Sequence, residues 1–235
     1  MNNNSLHNRK NFQENTTILE YCTSTFGEKY EIRYCNFGFV VIPTSGLFVY
    51  KFYLWWIIDT SSYWNREAKN YWYFIQNWVL VPTYAVLCDI YIWEQLFMQA
   101  KIQNIRIASK KCVSFYDFDI QKLATSIAQI HTIRPGYIHG NIHPSNFFFD
   151  ISGKIGIFDL ITYGIWPRER DISRIFMHAG YDEKFLKKFL HFYKLDISLE
   201  KVYLLSLIEI RELMKHWYAT GFEIEIKKLI TLIQS

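Results

Sequence analysis

The hydrophobic pattern changes period several times along this chain, and each change predicts a new element. From Leu47 to Tyr53, aromatic and β-branched residues run with one lysine, Lys51, among them, which is strand composition. NREAKNYWYFIQNW follows, and its apolar Ala68, Tyr71, Trp72 and Ile75 recur at helical spacing. Tyr84 to Leu87 and Ile90 to Trp93 read as two strands about a Cys88-Asp89 turn. Asp119 is placed to cap a helix whose stripe is Ile120, Leu123, Ala124, Ile127 and Ile130. After this helix, Gly140 and Pro144 break HGNIHP into a loop. Phe147 to Phe149 and Ile155 to Phe158 then make two short strands about a Ser152-Gly153 turn. Asp182 to Tyr193, Leu199 to Tyr218 and Phe222 to Ile233 return to helical spacing.

The hairpin carries the chemistry. Its two strands bring Asn146 and Asp159 together at one end, an amide oxygen beside a carboxylate. Such a pair suits a hard cation like Mg²⁺, which takes few protein ligands and completes its shell with water and substrate phosphates. Phosphoryl transfer needs mainly positioning and charge neutralisation, and a loop held on a hairpin beside a metal supplies both. His139 and His143 are four residues apart, but Gly140 and Pro144 exclude the helix that would let them chelate zinc.

The run YIHGNIHPSNFFFDISGKIGIFDL resembles the catalytic segment of the protein-kinase-like enzymes. H-R-D-x-x-x-x-N followed by D-F-G maps onto His139-Gly140-Asn141, Asn146 and Asp159-Leu160. Gly after the first His, a second His at 143 and Leu160 after the Asp resemble the small-molecule branch. That branch includes aminoglycoside, choline and lipopolysaccharide core heptose kinases, whose loops run H-G-D-x-H-x-x-N. The resemblance implies an α+β, two-lobed fold: a small antiparallel-sheet lobe over residues 21–97 and a mainly helical lobe over 98–235, after a flexible tail at 1–20.

It also implies ATP and Mg²⁺ as cofactors and a hydroxyl on a small or sugar-like molecule as acceptor, best a lipopolysaccharide core sugar. Asn146 and Asp159 would hold the metal, Lys51 would pair the ATP phosphates, and Glu67 would hold Lys51. From the residues alone, an edge-strand lysine is the lesser alternative for Lys51, and a solvated first-turn acid an equal one for Glu67. Gly38 would serve the phosphate lid, and Glu94-Gln95-Leu96 the adenine hinge. Asp171 would brace the catalytic loop, with His139 packed against it and His143 near the phosphates. Position 141 would orient the acceptor hydroxyl, where the family keeps a catalytic aspartate and this chain has asparagine. An amide oxygen accepts a hydrogen bond but is no base at neutral pH. The resemblance therefore leaves two readings: a phosphotransferase working without the usual base, and a pseudokinase that binds nucleotide or a partner. A protein-directed kinase is less well matched, because Ile161 to Pro167 is short for a peptide-binding segment.

Composition bounds the rest. With 235 residues and 50% hydrophobic content the chain can build two small cores. The net charge is +4, and the basic pairs Lys110-Lys111, Lys187-Lys188 and Lys227-Lys228 are dispersed, which excludes a nucleic-acid stripe. Cys22, Cys35, Cys88 and Cys112 have no C-x-x-C spacing, so a reduced, cytoplasmic compartment is expected. No apolar signal segment opens the chain. The aromatic run Phe52 to Ile58 offers either a buried strand or a peripheral contact with a membrane surface, which would be the inner membrane.

Overall fold

A computed structural model describes residues 16–27, 29–35, 38–44, 48–54, 60–82, 84–92, 95–103, 114–150, 152–217 and 221–234. The chain divides into two units, one of residues 1–73 and 81–108 and the other of 74–80 and 109–235.

Among the described residues, the first unit holds a five-stranded antiparallel sheet and two helices. Its strands are β1 (Tyr30–Cys35), β2 (Gly38–Pro43), β3 (Phe48–Leu54), β4 (Tyr84–Ile92) and β5 (Gln95–Gln103), in the order β1-β2-β3-β5-β4. Successive side chains on a strand point to opposite faces, and β3 uses both. Phe52 stacks on Phe39 with ring centroids 4.5 Å apart, in a core completed by Val41, Ile92 and, from helix α1 (Thr16–Phe26), Ile18 and Cys22. Lys51 and Tyr53 point the other way, to helix α2 (Thr60–Gln76).

Two expectations are corrected here. Residues 16–20, expected within the flexible tail, belong to helix α1, whose Ile18 and Cys22 pack into the core of the sheet. Burial pushes the Cys22 thiol up to about 12, so it is an inert core residue. The Cys88-Asp89 turn is instead the interior of one strand, β4, with an irregularity between Val86 and Cys88. Finally, α2 buries Glu67, Asn70, Tyr71 and Phe74, while Trp72 and Ile75 are exposed. The i, i+3, i+4, i+7 set is helical as expected, but its face is turned to carry Glu67 inward.

In the second unit, α3 (Ile120–Ile133) packs against α5 (Glu183–Tyr193), and α4 (Arg168–His178) against α6 (Leu199–Trp217), which also carries α7 (Glu223–Gln234). Asp119 caps α3 by accepting the Lys122 N–H. Leu123, Ala124, Ile127 and Ile130 are fully buried, as are Ile172, Ile175 and Phe176 of α4 and Phe189 of α5. Two short pairs complete the unit: β6 (Tyr137–Ile138) with β9 (Gly164–Ile165), and β7 (Phe147–Phe149) with β8 (Ile155–Ile157). No helix among the described residues is long and apolar enough to cross a membrane. Phe52 and Tyr53 are buried in the first unit, whereas residues 55–58 of the aromatic run lie outside the described residues.

Candidate active site

The loop from His139 to Asn146 is fastened from behind by one carboxylate. Asp171, on the first turn of α4, is fully buried, and its two oxygens accept the backbone N–H groups of His139 and Gly140, each at 2.9 Å. His131, at the end of α3, adds Nε2 at 3.0 Å from Asp171 Oδ2, and its Nδ1 meets the Tyr193 hydroxyl. Burial alone would raise the Asp171 carboxyl. The bond to His131, the electrostatic pull of that imidazole and the Gly140 N–H outweigh it and hold the group below its ordinary value.

His139 is also fully buried. Its Nδ1 accepts the Asn141 N–H, so its Nε2 carries the proton that bonds the Phe158 carbonyl at 3.0 Å. Burial pushes this imidazole down, which suits the neutral form that both bonds require. In the sequence, His139 is the member of the candidate catalytic loop that packs behind it. Its burial makes it a positioning residue, tying the loop to the strand that delivers Asp159. Thr162 donates to the His139 carbonyl at 2.9 Å and closes the loop from a third side.

Gly140 sits at φ +78°, and a Cβ there would lie 2.7 Å from the Thr162 carbonyl oxygen. Left-handed backbone and a close approach both demand glycine. Gly140→Ala is expected to destabilise by about 2–4 kcal/mol, strain and overpacking together. Urea unfolding should show a lower midpoint at unchanged slope. An unchanged midpoint would mean the loop can move away from Thr162.

At the front of the loop the expected residues converge. Phe158 N–H donates to the Asn146 carbonyl at 3.0 Å, so the end of the β7–β8 hairpin sets Asn146 beside the chain leading to Asp159. Asp159 itself is left-handed, at φ 63° and ψ 58°, a conformation that aspartate tolerates better than most residues. Asn146 donates its Nδ2 to the Asn141 carbonyl at 2.8 Å, which leaves its amide oxygen as a ligand. Asn141 donates its own Nδ2 to Asp159 Oδ2 at 3.2 Å. No cluster of three or more His, Cys, Asp or Glu side chains suited to a metal occurs among the described residues. A cation here would rest on Asn146 and Asp159 with phosphate oxygens completing the shell, the kind of donor set Mg²⁺ accepts.

The sequence offered no sign of what holds the other end of Asn141. Arg174, one turn beyond Asp171 on α4, donates Nη1 to Asn141 Oδ1 at 3.1 Å. Its Nε and Nη2 grip both oxygens of Glu209 from α6, at 3.4 and 3.0 Å. Arg170 reaches the same carboxylate at 3.5 Å. Nearby, Ser145 Oγ lies 2.6 Å from His143 Nδ1. Burial first, then His178 and Arg174, push the His143 imidazole down to about 4. The ring is therefore neutral at neutral pH. Since a free imidazole titrates near 6.5, acidification between those two values favours the unfolded chain.

In the first unit, Lys51 Nζ lies 2.8 Å from Glu67 Oε1, and the Tyr53 hydroxyl bonds the other carboxylate oxygen. Glu67 is fully buried and Lys51 nearly so. β3 lies between β2 and β5, so Lys51 is on an interior strand and the edge-strand reading does not apply. Gly38 opens β2 at φ +146°, where a Cβ would overlap the Phe52 carbonyl oxygen, so close strand packing requires a glycine here. The hinge assignment is corrected. Leu96 pairs with Tyr91 inside the β4–β5 hairpin, whereas the strand that leads out of this sheet ends at Gln103. Glu94 lies outside the described residues, as do 104–113.

No family model matches the chain, and no curated protein matches it in sequence. Solved structures do. A choline kinase of Streptococcus pneumoniae is similar with a TM-score of 0.60 at 12% identity, over 93% of this chain and 98% of the other. An aminoglycoside phosphotransferase of Streptomyces rimosus gives 0.62 at 11%, over 83% and 97%. A choline/ethanolamine kinase family protein of Mesorhizobium loti gives 0.54 at 10%, over 93% of each chain. Identities this low establish the fold and leave activity to the site. The chain therefore has the α+β, protein-kinase-like fold of the small-molecule kinases.

Proposed function

We propose that the protein is an ATP- and Mg²⁺-dependent phosphotransferase that moves the γ-phosphoryl group to a hydroxyl of a small, sugar-like acceptor. A lipopolysaccharide core sugar is the best single choice, and the cytoplasm, with or without contact to the inner membrane, is the matching location. The observation that carries the reading is the front of the loop, where Asn141, Asn146 and Asp159 are joined by hydrogen bonds of 2.8 and 3.2 Å and backed by buried Asp171. Lys51, with its buried partner Glu67, adds the cation that ATP phosphates require. Support also comes from the aminoglycoside phosphotransferase, whose structure has been solved with ADP and streptomycin.

In this reading Asp159 and Asn146 would hold Mg²⁺, which would supply charge neutralisation at the phosphates, and Lys51 would pair with them. Asn141 sits where the acceptor hydroxyl arrives but takes no proton from it. General-base assistance is typically worth about 10²–10⁴-fold, and a loose transition state that releases its proton late needs less of it. One observation favours the pseudokinase reading: the Asn141 oxygen that would meet the hydroxyl is already bonded to Arg174.

ATP turnover with Mg²⁺ by wild type, Asn141→Asp and Asp159→Asn separates the two. Wild-type turnover that drops at least about 10³-fold in Asp159→Asn is expected for a working kinase. A silent wild type that Asn141→Asp awakens would make it a pseudokinase with an otherwise intact site. Silence in all three, with no binding of MgADP, would sink the kinase reading and the nucleotide-binding form of the pseudokinase reading.

A further inference from the structure

Arg174 is the group at this site that the phosphotransferase reading does not use. Arginine presents five N–H donors in a planar fork. Three are committed, two to Glu209 and one to Asn141, and two remain. The side chain is about one-fifth exposed, so those donors can be reached. Charge points the same way. Arg170 and Arg174 share the single carboxylate of Glu209, two positive charges against one negative within this cluster. An aspartate at 141 would have cancelled the excess, but Asn141 is neutral. His143, on the same loop, is neutral as well at neutral pH. Asp159 stands at the opposite end of the Asn141 amide, where the bound cation would take its charge. Arg170 stacks on the exposed ring of Trp166, 4.3 Å from its centroid, and extends the positive rim outward.

Resting on the phosphotransferase reading, we propose that the acceptor carries an anionic group, a phosphate or carboxylate, close to its reactive hydroxyl, and that Arg174 binds it. A guanidinium fork matches either anion with two parallel hydrogen bonds, and its partial desolvation strengthens them. The same positive charge disfavours cationic acceptors. Asparagine at 141 thereby acquires a role: it leaves Arg174 unneutralised, where an aspartate would compete with the substrate for it.

The test is calorimetric titration of the full chain, first with MgADP and then, with MgADP present, with glycerol 3-phosphate, glycerate, glycerol and choline. The four probes carry hydroxyls of similar size and differ in charge. The two anions are expected to bind at least about tenfold tighter than glycerol or choline, since one charged hydrogen-bonded pair is worth about that factor. Whichever anion binds tighter identifies its source as phosphate or carboxylate. Arg174→Gln should abolish the preference, and Arg174→Lys should keep part of it. Glu209→Gln removes the competing carboxylate and should tighten anion binding, a gain that a damaged fold could not produce. Equal binding of all four probes, or preference for choline, with MgADP bound normally, would overturn the inference and leave the kinase reading intact. If MgADP does not bind, the kinase reading fails. The same titration without nucleotide then judges the anion site, and anion binding that survives Arg174→Gln unchanged overturns it.

Discussion

Replacing Asp171 with alanine is expected to destabilise the second unit by about 3–5 kcal/mol, the range for removing one partner of a buried charged network. The carboxylate accepts two backbone N–H groups and faces the His131 imidazole, and all of them are buried. Its loss leaves the N–H groups of His139 and Gly140 without their acceptor, and each such buried group costs about 1–3 kcal/mol. Asp171→Asn should be milder, because one amide oxygen can still accept while the NH₂ group opposes the other donor. Because folding lowers this carboxyl's pKa, its stabilisation is fully present above the free aspartate value near 3.9 and fades as pH falls through the folded value. The difference between wild type and Asp171→Ala should therefore be full at pH 7 and shrink in acid. Urea unfolding at both pH values measures it. For scale, Asp119→Ala removes only an exposed helix cap and should cost about 1 kcal/mol. An Asp171→Ala effect no larger than that would mean the loop is held by other groups.

The parts of this molecule that could be read from its sequence are those whose cause is local. Gly140 and Pro144 break the helix, three phenylalanines and an Ile-Gly-Ile run make a hairpin, and Ser152-Gly153 turns it. The helix caps and stripes of the second unit follow equally from nearby residues. What could not be read depends on partners far along the chain. Helix α2 was legible as a helix, but its buried face is chosen by Glu67, which seeks a strand lysine and tyrosine 16 and 14 residues earlier. Trp72 and Ile75 belong to the apolar stripe of the sequence and are surface in the fold. In β4, Cys88-Asp89 resembles a turn because Asp is rare in strands, yet pairing with β5 overrides that local preference. Arg174 and Glu209 carried no signal, since each acquires its role only when separate helices pack. His131 did lie on the buried stripe of α3, one residue after Ile130. A polar residue there is a prompt to look for a buried partner.

Glu67→Ala should cost the first unit about 3–5 kcal/mol, because it leaves the Lys51 ammonium and the Tyr53 hydroxyl without the carboxylate they share in a dry setting. The size of that loss does not make the pair a stabilising device. Two charges withdrawn from water lose hydration that their mutual attraction repays only in part, and apolar substitutes of similar shape often match or exceed the stability of a buried pair. The double variant Lys51→Met/Glu67→Gln tests this, since methionine fills the lysine stem's space and glutamine keeps an acceptor for Tyr53. It is expected to unfold within about 1 kcal/mol of wild type, the usual scale of a volume-conserving exchange. If the pair serves nucleotide phosphates, the same well-folded variant should bind MgADP at least about tenfold more weakly, the worth of one charged contact. Recovered stability with lost binding would make Lys51 a ligand-binding group that Glu67 keeps extended and charged. Recovered stability with unchanged MgADP affinity would reduce the pair to packing, and would remove Lys51 from the proposed site. A double variant as unstable as Glu67→Ala would point instead to a backbone at β3 and α2 that fits only the ionic pair.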